Sequence, residues 1–374
     1  MKKIRVLEIC GEASGGIRKH INIIVSNLDM MRYEIYYVYS LEGFDNSFTQ
    51  DKKMLEAKGV RFLPLRIRKR PSLEDIANLI FLYKFVLKNE IDIVHGHGAK
   101  AGLYARGISV TTGINSIYTP HGGVLHDQFS FFESRLYILA EKLLKPLTYL
   151  VLAESENTKK DYIEKVGTPK KIEVNLNGVK ELTIKNNLLR NEKTNNDFNI
   201  GIFARLSKFK GQVEAVEAIS ELAFKGNIFL HLYGDGPLRL TLEKLIKEKG
   251  LTSLVSVHGE VVDVEQKMLQ CDCVLIPSYF ESFSYVAVEA MMLKIPIISS
   301  YKGGLKEVLN EECCLYLKEI NSVEIAKSIS KIYNNKPLRN KFSRNAYIQY
   351  KKNFTLRAMI ENIDNFYQEA SKDS

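Results

Sequence analysis

The segment PSYFESFSYVAVEAMMLKIPIIS, residues 277–299, carries the most informative pattern in the chain. The apolar run VLIPS, residues 274–278, predicts a strand that leads into it. The stretch YVAVEAMML, residues 285–293, has a helical composition and stops before a proline. Glu281 is then expected in the loop at the carboxyl end of a strand, and Glu289 about one turn into the helix. In open parallel α/β sheets ligands bind at this place.

This strand–loop–helix segment predicts three kinds of ligand contact. The backbone amides of Phe283, Ser284 and Tyr285 would point from the helix start toward an anion such as a phosphate. One carboxylate, Glu281, can then face a sugar, and the other, Glu289, a ribose diol. The alternative is two surface glutamates that flank a helix, which the spacing alone leaves open.

Length and composition restrict the class of protein. A chain of 374 residues predicts two domains, and 45% hydrophobic with 26% charged residues is typical of a soluble globular protein. The N-terminal apolar run is only a few residues long and contains Glu8, so it predicts a first strand and no signal peptide. No window approaches ~20 apolar residues, so no transmembrane helix is expected. Five cysteines without metal-ligand spacing predict reduced thiols and a cytoplasmic protein.

The net charge of +9 indicates an anionic partner. No nucleic-acid-binding signature accompanies the charge, so we expect no nucleic acid. The densest basic run, RIRKR at residues 66–70, lies close to the apolar stretch LIFLYKFVLK at residues 79–88. This combination favours peripheral contact with the anionic inner face of the cell membrane. A solvated basic face is the alternative.

The chain divides into two halves in which short apolar runs alternate with helical segments. This rhythm predicts parallel sheets covered on both faces. An Asn- and Lys-rich segment, residues 181–197, interrupts it and is predicted to be a linker. We therefore expect an α/β protein with two doubly wound, Rossmann-like domains facing across a cleft: residues 1–180 and residues 198–348.

Each half contains candidate anion-binding residues. Gly15 and Gly16 stand at the first strand-to-helix turn, where glycines let a phosphate approach the backbone. Their spacing is not that of the dinucleotide motif, which argues against a nicotinamide enzyme. Arg205 and Lys210 follow the first strand of the second half and suit a diphosphate clamp. A plain turn and two surface cations are the respective alternatives.

Two further turns follow strands of the second half. Gly234 lies in the sequence Gly-Asp-Gly, and Glu260 follows His258 and Gly259. A nucleotide base could rest on backbone groups here. A role in turn formation alone is the alternative for both.

Histidines mark strand ends in the first half. His121, in YTPHGG, is suited to a hydrogen bond with a sugar hydroxyl or to general acid–base chemistry, although a structural role is the common alternative. His97 and Lys100 hold a similar position on another strand. We expect His95 and His97 to point to opposite faces of that strand, which would argue against a metal pair. Since no Asp-x-Asp occurs either, the chain is predicted to work without a metal or other cofactor.

Seven segments support a family resemblance. In chain order they are GEASGGIRKH, DIVHGHGAKAGLYAR, YTPHGG, LAESENTKKDYIEKVGTPKKIEVNLNGV, GIFARLSKFKG, LYGDGPLR and the opening segment continued through KGGLKEVL. Together they resemble family 4 of the retaining glycosyltransferases, which have the GT-B fold. The resemblance covers nearly the whole chain. It implies that the final helix, within residues 349–374, packs back on the first domain.

The resemblance also implies a nucleotide-sugar donor, UDP-linked by analogy, in the second half and an acceptor in the first. The resemblance implies that the anomeric configuration is retained through a front-face reaction, in which the leaving phosphate helps to deprotonate the acceptor. Sequence and resemblance together give these assignments: catalytic His121, Arg205, Lys210 and Glu281; donor-binding Gly16, Gly234, Glu260, Ser282, Phe283, Ser284, Tyr285 and Glu289; acceptor-binding His97 and Lys100.

The composition is similar to that of bacterial capsule, exopolysaccharide and teichoic-acid enzymes, whose acceptor would be a lipid-linked sugar. One departure from the family pattern is the pair Ser282 and Ser284, which stand where glycines are common. Two alternatives remain open at this point. One is an enzyme like the UDP-N-acetylhexosamine 2-epimerases, and the other is a non-catalytic partner subunit with the same fold.

Overall fold

The computed structural model describes residues 2–12, 15–42, 46–68, 70–122, 131–182, 197–225 and 227–372. These residues form two compact units, one built from residues 1–177 with 357–374 and the other from residues 178–356. The first unit thus ends close to the predicted end of the first domain, residue 180. Most of the predicted linker, residues 181–197, lies outside the described residues.

The first unit contains a parallel sheet of seven strands in the order β3-β2-β1-β4-β5-β6-β7. The strands are β1 (Ile4–Cys10), β2 (Tyr33–Ser40), β3 (Arg61–Leu65), β4 (Ile93–His97), β5 (Asn115–Thr119), β6 (Leu150–Ala153) and β7 (Ile172–Val174). The middle strands are almost wholly buried, as expected for a parallel sheet covered on both faces.

Among the described residues, seven α-helices accompany this sheet: α1 (Gly15–Asn27), α2 (Asn46–Ala57), α3 (Glu74–Lys88), α4 (Ala99–Thr112), α5 (Phe131–Leu144), α6 (Glu156–Lys165) and, from the end of the chain, α14 (Leu356–Lys372). The buried face of α14 carries Met359, Ile363, Tyr367 and Ala370, which pack in one core with strand residues such as Ile93 and Leu150. Their spacing of four, four and three residues places them on one side of the helix.

The second unit repeats the design with six parallel strands in the order β10-β9-β8-β11-β12-β13. The strands are β8 (Phe198–Phe203), β9 (Ile228–Tyr233), β10 (Val255–Gly259), β11 (Cys273–Ile276), β12 (Ile297–Ser299) and β13 (Leu315–Tyr316). The helices are α7 (Gln212–Leu222), α8 (Arg239–Glu248), α9 (Val264–Leu269), α10 (Tyr285–Met292), α11 (Leu305–Val308), α12 (Ser322–Tyr333) and α13 (Lys336–Asn353).

The predicted fold class is confirmed: each unit is a doubly wound α/β layer structure with a parallel sheet. The short strands β7 and β13 were not predicted, since three and two residues give no readable alternation. Residues 349–356 belong to the second unit, whereas the sequence interpretation placed them with the first. In the part of the chain that the structure describes, no helix combines the length and apolarity needed to cross a membrane.

Candidate functional site

The topological switch point of the second unit lies between β8 and β11. From β8 the strand order runs through β9 to β10 on one side, and from β11 it runs through β12 to β13 on the other. Loops that leave adjacent strands in opposite directions open a crevice at such a point. The loop after β8 brings Lys210 to it, and the loop after β11 brings Glu281. Lys210 Nζ lies 2.6 Å from Glu281 Oε1. Two residues predicted separately to bind donor thus meet at the expected edge of the sheet.

The carboxylate of Glu281 is held by more than the lysine. Ser278 Oγ donates a hydrogen bond of 2.8 Å to the same oxygen, Oε1. The side chains of Lys210 and Glu281 are 23% and 16% exposed, so a ligand can reach this ion pair from solvent. The arrangement offers one oriented carboxylate and one cation side by side, as binding of a sugar next to a phosphate requires.

Close backbone contacts fix both loops. The Gly304 amide donates a 2.6 Å hydrogen bond to the carbonyl oxygen of Glu281, and a Cβ on Gly304 would lie 2.0 Å from the Ser282 oxygen. Gly211, with φ +68°, sits so that a Cβ would lie 2.2 Å from the Pro277 oxygen. A side chain at either glycine would therefore force the loop away. The glycines after Lys302 were a sequence signal for this close approach, but their role was not predicted.

The helix after Glu281 begins at Tyr285, as predicted. Ser284 is its N-cap residue, and its Oγ accepts a hydrogen bond from the Ala287 amide at 3.3 Å. The Phe283 ring is buried, with its centroid 5.5 Å from that of Tyr285 and 6.0 Å from that of Phe354. The side chains of Ser284 and Phe283 thus support the helix start, which leaves backbone amides as their means of contact with a donor.

The remaining predicted donor residues differ in exposure. Arg205 is exposed, and its carbonyl oxygen accepts a 2.9 Å hydrogen bond from Gln212 Nε2, which ties the loop to α7. Glu289 lies in α10 and is only 1% exposed. A carboxylate at this depth must be satisfied by hydrogen bonds or opposite charge. Its role as a ribose ligand stays a prediction.

Gly234 and Glu260 follow β9 and β10. Gly234 has φ +134°, and a Cβ there would lie 2.1 Å from the Ala204 oxygen. Its amide donates a 2.7 Å hydrogen bond to the Gly259 oxygen. The absence of a side chain at Gly234 thus lets the end of β9 lie close to Ala204, which follows β8. Glu260 follows β10 and is exposed.

The first unit has a different centre at the carboxyl ends of its strands, formed by histidines and carboxylates. Glu8 Oε2 lies 2.8 Å from His97 Nε2, and His97 Nδ1 lies 3.1 Å from His121 Nε2. His121 Nδ1 lies 3.2 Å from Glu154 Oε2. A third histidine, His20 of α1, has its ring centroid 4.7 Å from that of His121. Segments distant in sequence thus contribute to one network.

The prediction that His95 and His97 face opposite ways is wrong. Alternate residues of a strand share one face, and the two ring centroids are 4.0 Å apart. His95 Nδ1 contacts the Tyr367 hydroxyl at 2.7 Å, and that hydroxyl donates a 2.5 Å hydrogen bond to Glu8 Oε1. The positions of these rings therefore do not exclude a metal. Among the described residues, both His20–His97–His121 and Glu8–His95–His97 have a spacing that a metal ion could use.

Burial is the main cause of the pKa shifts in this network. Burial raises the pKa of Glu8, although nearby His95 and the Tyr367 hydrogen bond act in the opposite direction. Burial, followed by the neighbouring imidazoles, holds the pKa of His97 and of His95 well below the usual range. The same causes lower the pKa of His20 to about 3. These three histidines are therefore neutral at physiological pH.

The predicted acceptor residues are engaged within the first unit. His97 is 1% exposed and lies behind His121. Lys100 Nζ lies 2.5 Å from Asp75 Oδ2, while the Tyr104 hydroxyl donates to Asp75 Oδ1 at 2.5 Å. Burial raises the pKa of Asp75, but hydrogen bonds from Lys100, Tyr104 and the Ser72 amide outweigh it and lower the pKa overall. Lys100 is paired and 16% exposed, and His97 is buried. The role of either residue in acceptor binding stays a prediction.

Gly16 stands at the start of α1 and is exposed. A Cβ on it would meet no atom within 4 Å, so the position leaves room for a ligand. Glu8, His20, Glu154 and Tyr367 were missed as members of the histidine network. A carboxylate in the middle of an apolar strand, as in IRVLEIC, was the available signal, because a buried charge needs a partner.

Comparisons with known proteins agree with this architecture. The family model for glycosyl transferases group 1 matches residues 184–349, and that for glycosyltransferase family 4 matches residues 14–181. The capsular polysaccharide biosynthesis glycosyltransferase CapM of Staphylococcus aureus is 24% identical over 95% of this chain and 97% of its own.

Two further comparisons name a substrate or a bound ligand. An N-acetylgalactosamine-N,N'-diacetylbacillosaminyl-diphospho-undecaprenol 4-alpha-N-acetylgalactosaminyltransferase of Campylobacter jejuni is 26% identical over 56% of each chain. The crystal structure of Anabaena Alr3699/HepE in complex with UDP-glucose has a TM-score of 0.80 at 19% identity, covering 98% of this chain and all of that one.

Proposed function

The chain belongs to the family 4 glycosyltransferases with the GT-B fold, and from this premise we propose that it is a retaining transferase acting in cell-surface polysaccharide synthesis. Its donor is a UDP-sugar, and its acceptor is a lipid-linked saccharide. The UDP-glucose complex of HepE supports the first part, and the undecaprenol-linked substrate named for the Campylobacter relative supports the second. CapM supports the link to capsule.

The observation that carries this proposal is the ion pair of Lys210 and Glu281 at the switch point of the second sheet. A donor diphosphate would take Lys210 as its cation, which frees the Glu281 carboxylate to accept hydrogen bonds from sugar hydroxyls. Arg205, exposed in the same loop as Lys210, would add bidentate contacts to the phosphates. The backbone amides at the start of α10 would complete the anion site.

The reaction then depends on stabilising the leaving diphosphate, and it needs no nucleophile from the protein. As the bond between the anomeric carbon and the phosphate oxygen breaks, negative charge grows on the phosphate. Fixed cations and amides stabilise that charge best when they need no reorganisation. The acceptor oxygen forms its bond on the same face of the sugar, and its proton passes to the leaving phosphate. Arg205 and Lys210 carry the charge in this scheme, so no metal is required. His121 is assigned to a donor sugar hydroxyl.

An exposed apolar face supports contact with a membrane surface. Leu73, Ile76, Ile80 and Leu87, in and just before α3, are between 52% and 86% exposed. Their spacing places them on one side of the helix. Exposed Lys84 and Lys88 lie in the same helix, while Arg66 and Arg68 of the basic run form ion pairs with Glu42 and Glu74. An apolar stripe with flanking cations suits an anionic lipid interface.

The donor site is tested first by thermal shift with UDP, GDP and ADP. A ligand that binds only the native state raises the melting temperature. We expect stabilisation by UDP that is lost in Lys210→Ala and reduced in Arg205→Ala. Each substitution should cost about 1–3 kcal/mol of donor binding through loss of charge-assisted hydrogen bonds. Lys208→Ala is the matched control, because Lys208 is exposed in the same loop with its Nζ over the Phe209 ring.

Stabilisation by none of the three nucleotides would favour a non-catalytic subunit. Glu289→Ala is a poorer probe than Lys210→Ala, because Glu289 is 1% exposed and its removal would alter stability without ligand. If UDP binds, UDP-sugars are screened with a prenyl-diphosphate-linked saccharide, and NMR of the product gives the anomeric configuration. Inversion would overturn the retaining mechanism, and conversion of the UDP-sugar without transfer would indicate an epimerase.

Membrane contact is tested by co-sedimentation with vesicles of phosphatidylglycerol or of phosphatidylcholine alone. We expect binding to the anionic vesicles that falls at least about tenfold in Ile76→Ser/Ile80→Ser, since two apolar side chains no longer enter the interface. Phe224→Ser is the control, because Phe224 is 81% exposed in the other unit. Equal binding by both variants would remove α3 from the interface.

A further inference from the structure

Large apolar side chains at the surface are unevenly distributed over the part of the chain that the structure describes. Of the 21 that are exposed there, 11 lie on or next to three consecutive helices of the first unit, α3, α4 and α5. Scattered exposed apolar side chains are ordinary in a folded protein, whereas a concentration of them marks a contact surface. The α3 region supplies six of the 11, so the other five extend the apolar surface beyond α3.

The main part of this extension is α5 with the 3-10 turn that follows it, Lys145–Leu147. Its outward leucines are spaced by three, four and four residues, which places them on one side of a helix. They are between 40% and 69% exposed: Leu136, Leu139, Leu143 and Leu147. The opposite side is anchored, because the buried Glu141 accepts hydrogen bonds from Arg106 of α4 and from the Tyr118 hydroxyl. The leucines therefore face outward from a helix whose rotation is fixed.

The helices α3, α4 and α5 cover the same face of the first sheet. Side chains of α3 and α4 pack in one core with strand residues that include Val94. Tyr118 pairs in register with Gly96, two residues beyond Val94, and so lies on this face as well. Tyr118 in turn contacts Glu141 of α5. Because α4 packs against α3 and is joined to α5 by Arg106, the outward leucines and the α3 stripe belong to one helical layer.

The charges on this layer favour an anionic occupant. Exposed Arg135 and Lys142 lie on α5, as exposed Lys84 and Lys88 lie on α3. In α5, Glu133 is the one acidic residue at the surface, since Glu141 is buried. The net charge of +9 opposes the association of two copies and favours a negatively charged surface. Leucines edged by cations match the boundary between the headgroups and the acyl chains of an anionic bilayer.

Building on the membrane contact proposed for α3, on which this assignment depends, we infer that α5 is a second membrane-binding helix. The occupant of the whole layer is then an anionic lipid bilayer, with the leucines among the acyl chains and the cations at the phosphates. A single helix would let the unit rotate about the helix axis on the bilayer. Two helices of one layer prevent that rotation, so the first sheet lies along the membrane and the carboxyl ends of its strands point along the surface.

The chain contains no tryptophan, so a single introduced tryptophan reports only on its own position. The test uses the full chain with Leu139→Trp in α5, Ile80→Trp in α3 or Phe224→Trp in the second unit. On vesicles of phosphatidylglycerol with brominated acyl chains, fluorescence should be quenched in Leu139→Trp and Ile80→Trp but not in Phe224→Trp. Quenching in Ile80→Trp alone would overturn the role of α5 and leave the contact of α3 in place. Quenching in none of the three, or equally in all three, would overturn both.

A second measurement removes leucines from α5 and keeps its anchored side. Leu136→Ser/Leu143→Ser should lower the affinity for phosphatidylglycerol vesicles at least about tenfold, because two apolar side chains no longer enter the bilayer. The matched control is Leu240→Ser/Val323→Ser, whose leucine and valine are 79% and 66% exposed in the second unit, and its affinity should not change. Equal affinities of the two variants would contradict the assignment. A dimer that forms without lipid in analytical ultracentrifugation, and that the α5 variant dissociates, would make a second copy the occupant and overturn the lipid.

Discussion

The two sheets have the same doubly wound design, yet the chemistry at their carboxyl edges is opposite in kind. In the first unit the edge is buried, and neutral imidazoles are enclosed with Glu8 and Glu154. In the second unit the edge is open, and the partly exposed Lys210 and Glu281 are placed by loops that glycines hold. Burial thus decides whether polar groups at such an edge form a fixed network or a site that can exchange its partners.

The largest effect is expected from breaking a buried ion pair in the first unit, which tests how much that pair contributes to the stability of the fold. Arg106 forms two hydrogen bonds to Glu141, of 2.7 and 3.0 Å, with both side chains almost fully buried. Glu141→Ala leaves the guanidinium unpaired and should lower the free energy of unfolding by about 3–5 kcal/mol. The control is Glu361→Ala, which removes an exposed ion pair with Arg357 and should cost about 0.3–0.5 kcal/mol. Urea denaturation followed by circular dichroism measures both. Equal losses of unfolding free energy in the two variants would show that burial does not determine how much an ion pair contributes to stability.

A second experiment asks whether glycine contacts place the open site. Gly304→Ala needs no unusual backbone angle, since φ is −63°, but its Cβ would push on the Ser282 oxygen at 2.0 Å. We expect kcat/KM for donor to fall roughly 100-fold, because a displacement of about 1 Å can cost that much. Gly250→Ala, with φ +65° and nothing within 4 Å, is the control and should lower stability without lowering activity. Full activity in Gly304→Ala would show that this contact does not position Glu281.

A smaller effect concerns pH and the ion pair of Lys100 with Asp75. The pKa of Asp75 is lowered in the folded chain, so the unfolded chain binds the proton more readily. The stabilisation is present above the ordinary value of 3.8 and is lost as pH falls through the folded pKa. Asp75→Asn should therefore cost about 1–2 kcal/mol at pH 7 and little near pH 2.

Asp161 gives the matched comparison, because burial raises its pKa. Its contribution has the opposite sign: it is present below the ordinary pKa and is lost as pH rises. Asp161→Asn should thus become relatively more stable than wild type toward neutral pH. Denaturation midpoints measured across this range compare the two variants, and parallel curves would contradict both assignments.

The smallest expected effect is no loss of transferase activity in excess EDTA. Positive charge at the open site comes from Arg205, Lys210 and the start of α10, so we expect the reaction to proceed without a bound cation. Activity that is abolished by EDTA and restored by Mg²⁺ would show a metal-dependent donor site.

Local patterns in the sequence predicted the fold well. The runs around β11 and α10 placed Glu281 in a loop and Glu289 in a helix, because apolar periodicity and proline positions are local signals. The meeting of Lys210 with Glu281 followed from one rule about strand ends. The hydroxyl of Ser284 was harder to interpret, since the same residue can cap a helix or contact a ligand, and here it caps.

The histidine network could not be predicted in this way. Its members come from β1, β4, α1, the ends of β5 and β6, and α14, so their proximity depends on strand order and on the final helix. An error about strand alternation also separated His95 from His97. The burial of Glu289 and the pairing of Lys100 with Asp75 likewise depend on neighbours far away in sequence.

The place of the last helix has a consequence for synthesis on the ribosome. The second unit is continuous, from residue 178 to residue 356, and can complete its core as soon as those residues have emerged. The first unit begins earlier but lacks Met359, Ile363 and Tyr367 until α14 is made. Until then, the part of the sheet that α14 covers stays exposed, and Glu8 lacks the hydrogen bond from the Tyr367 hydroxyl. The unit that is translated first is therefore the one that finishes folding last.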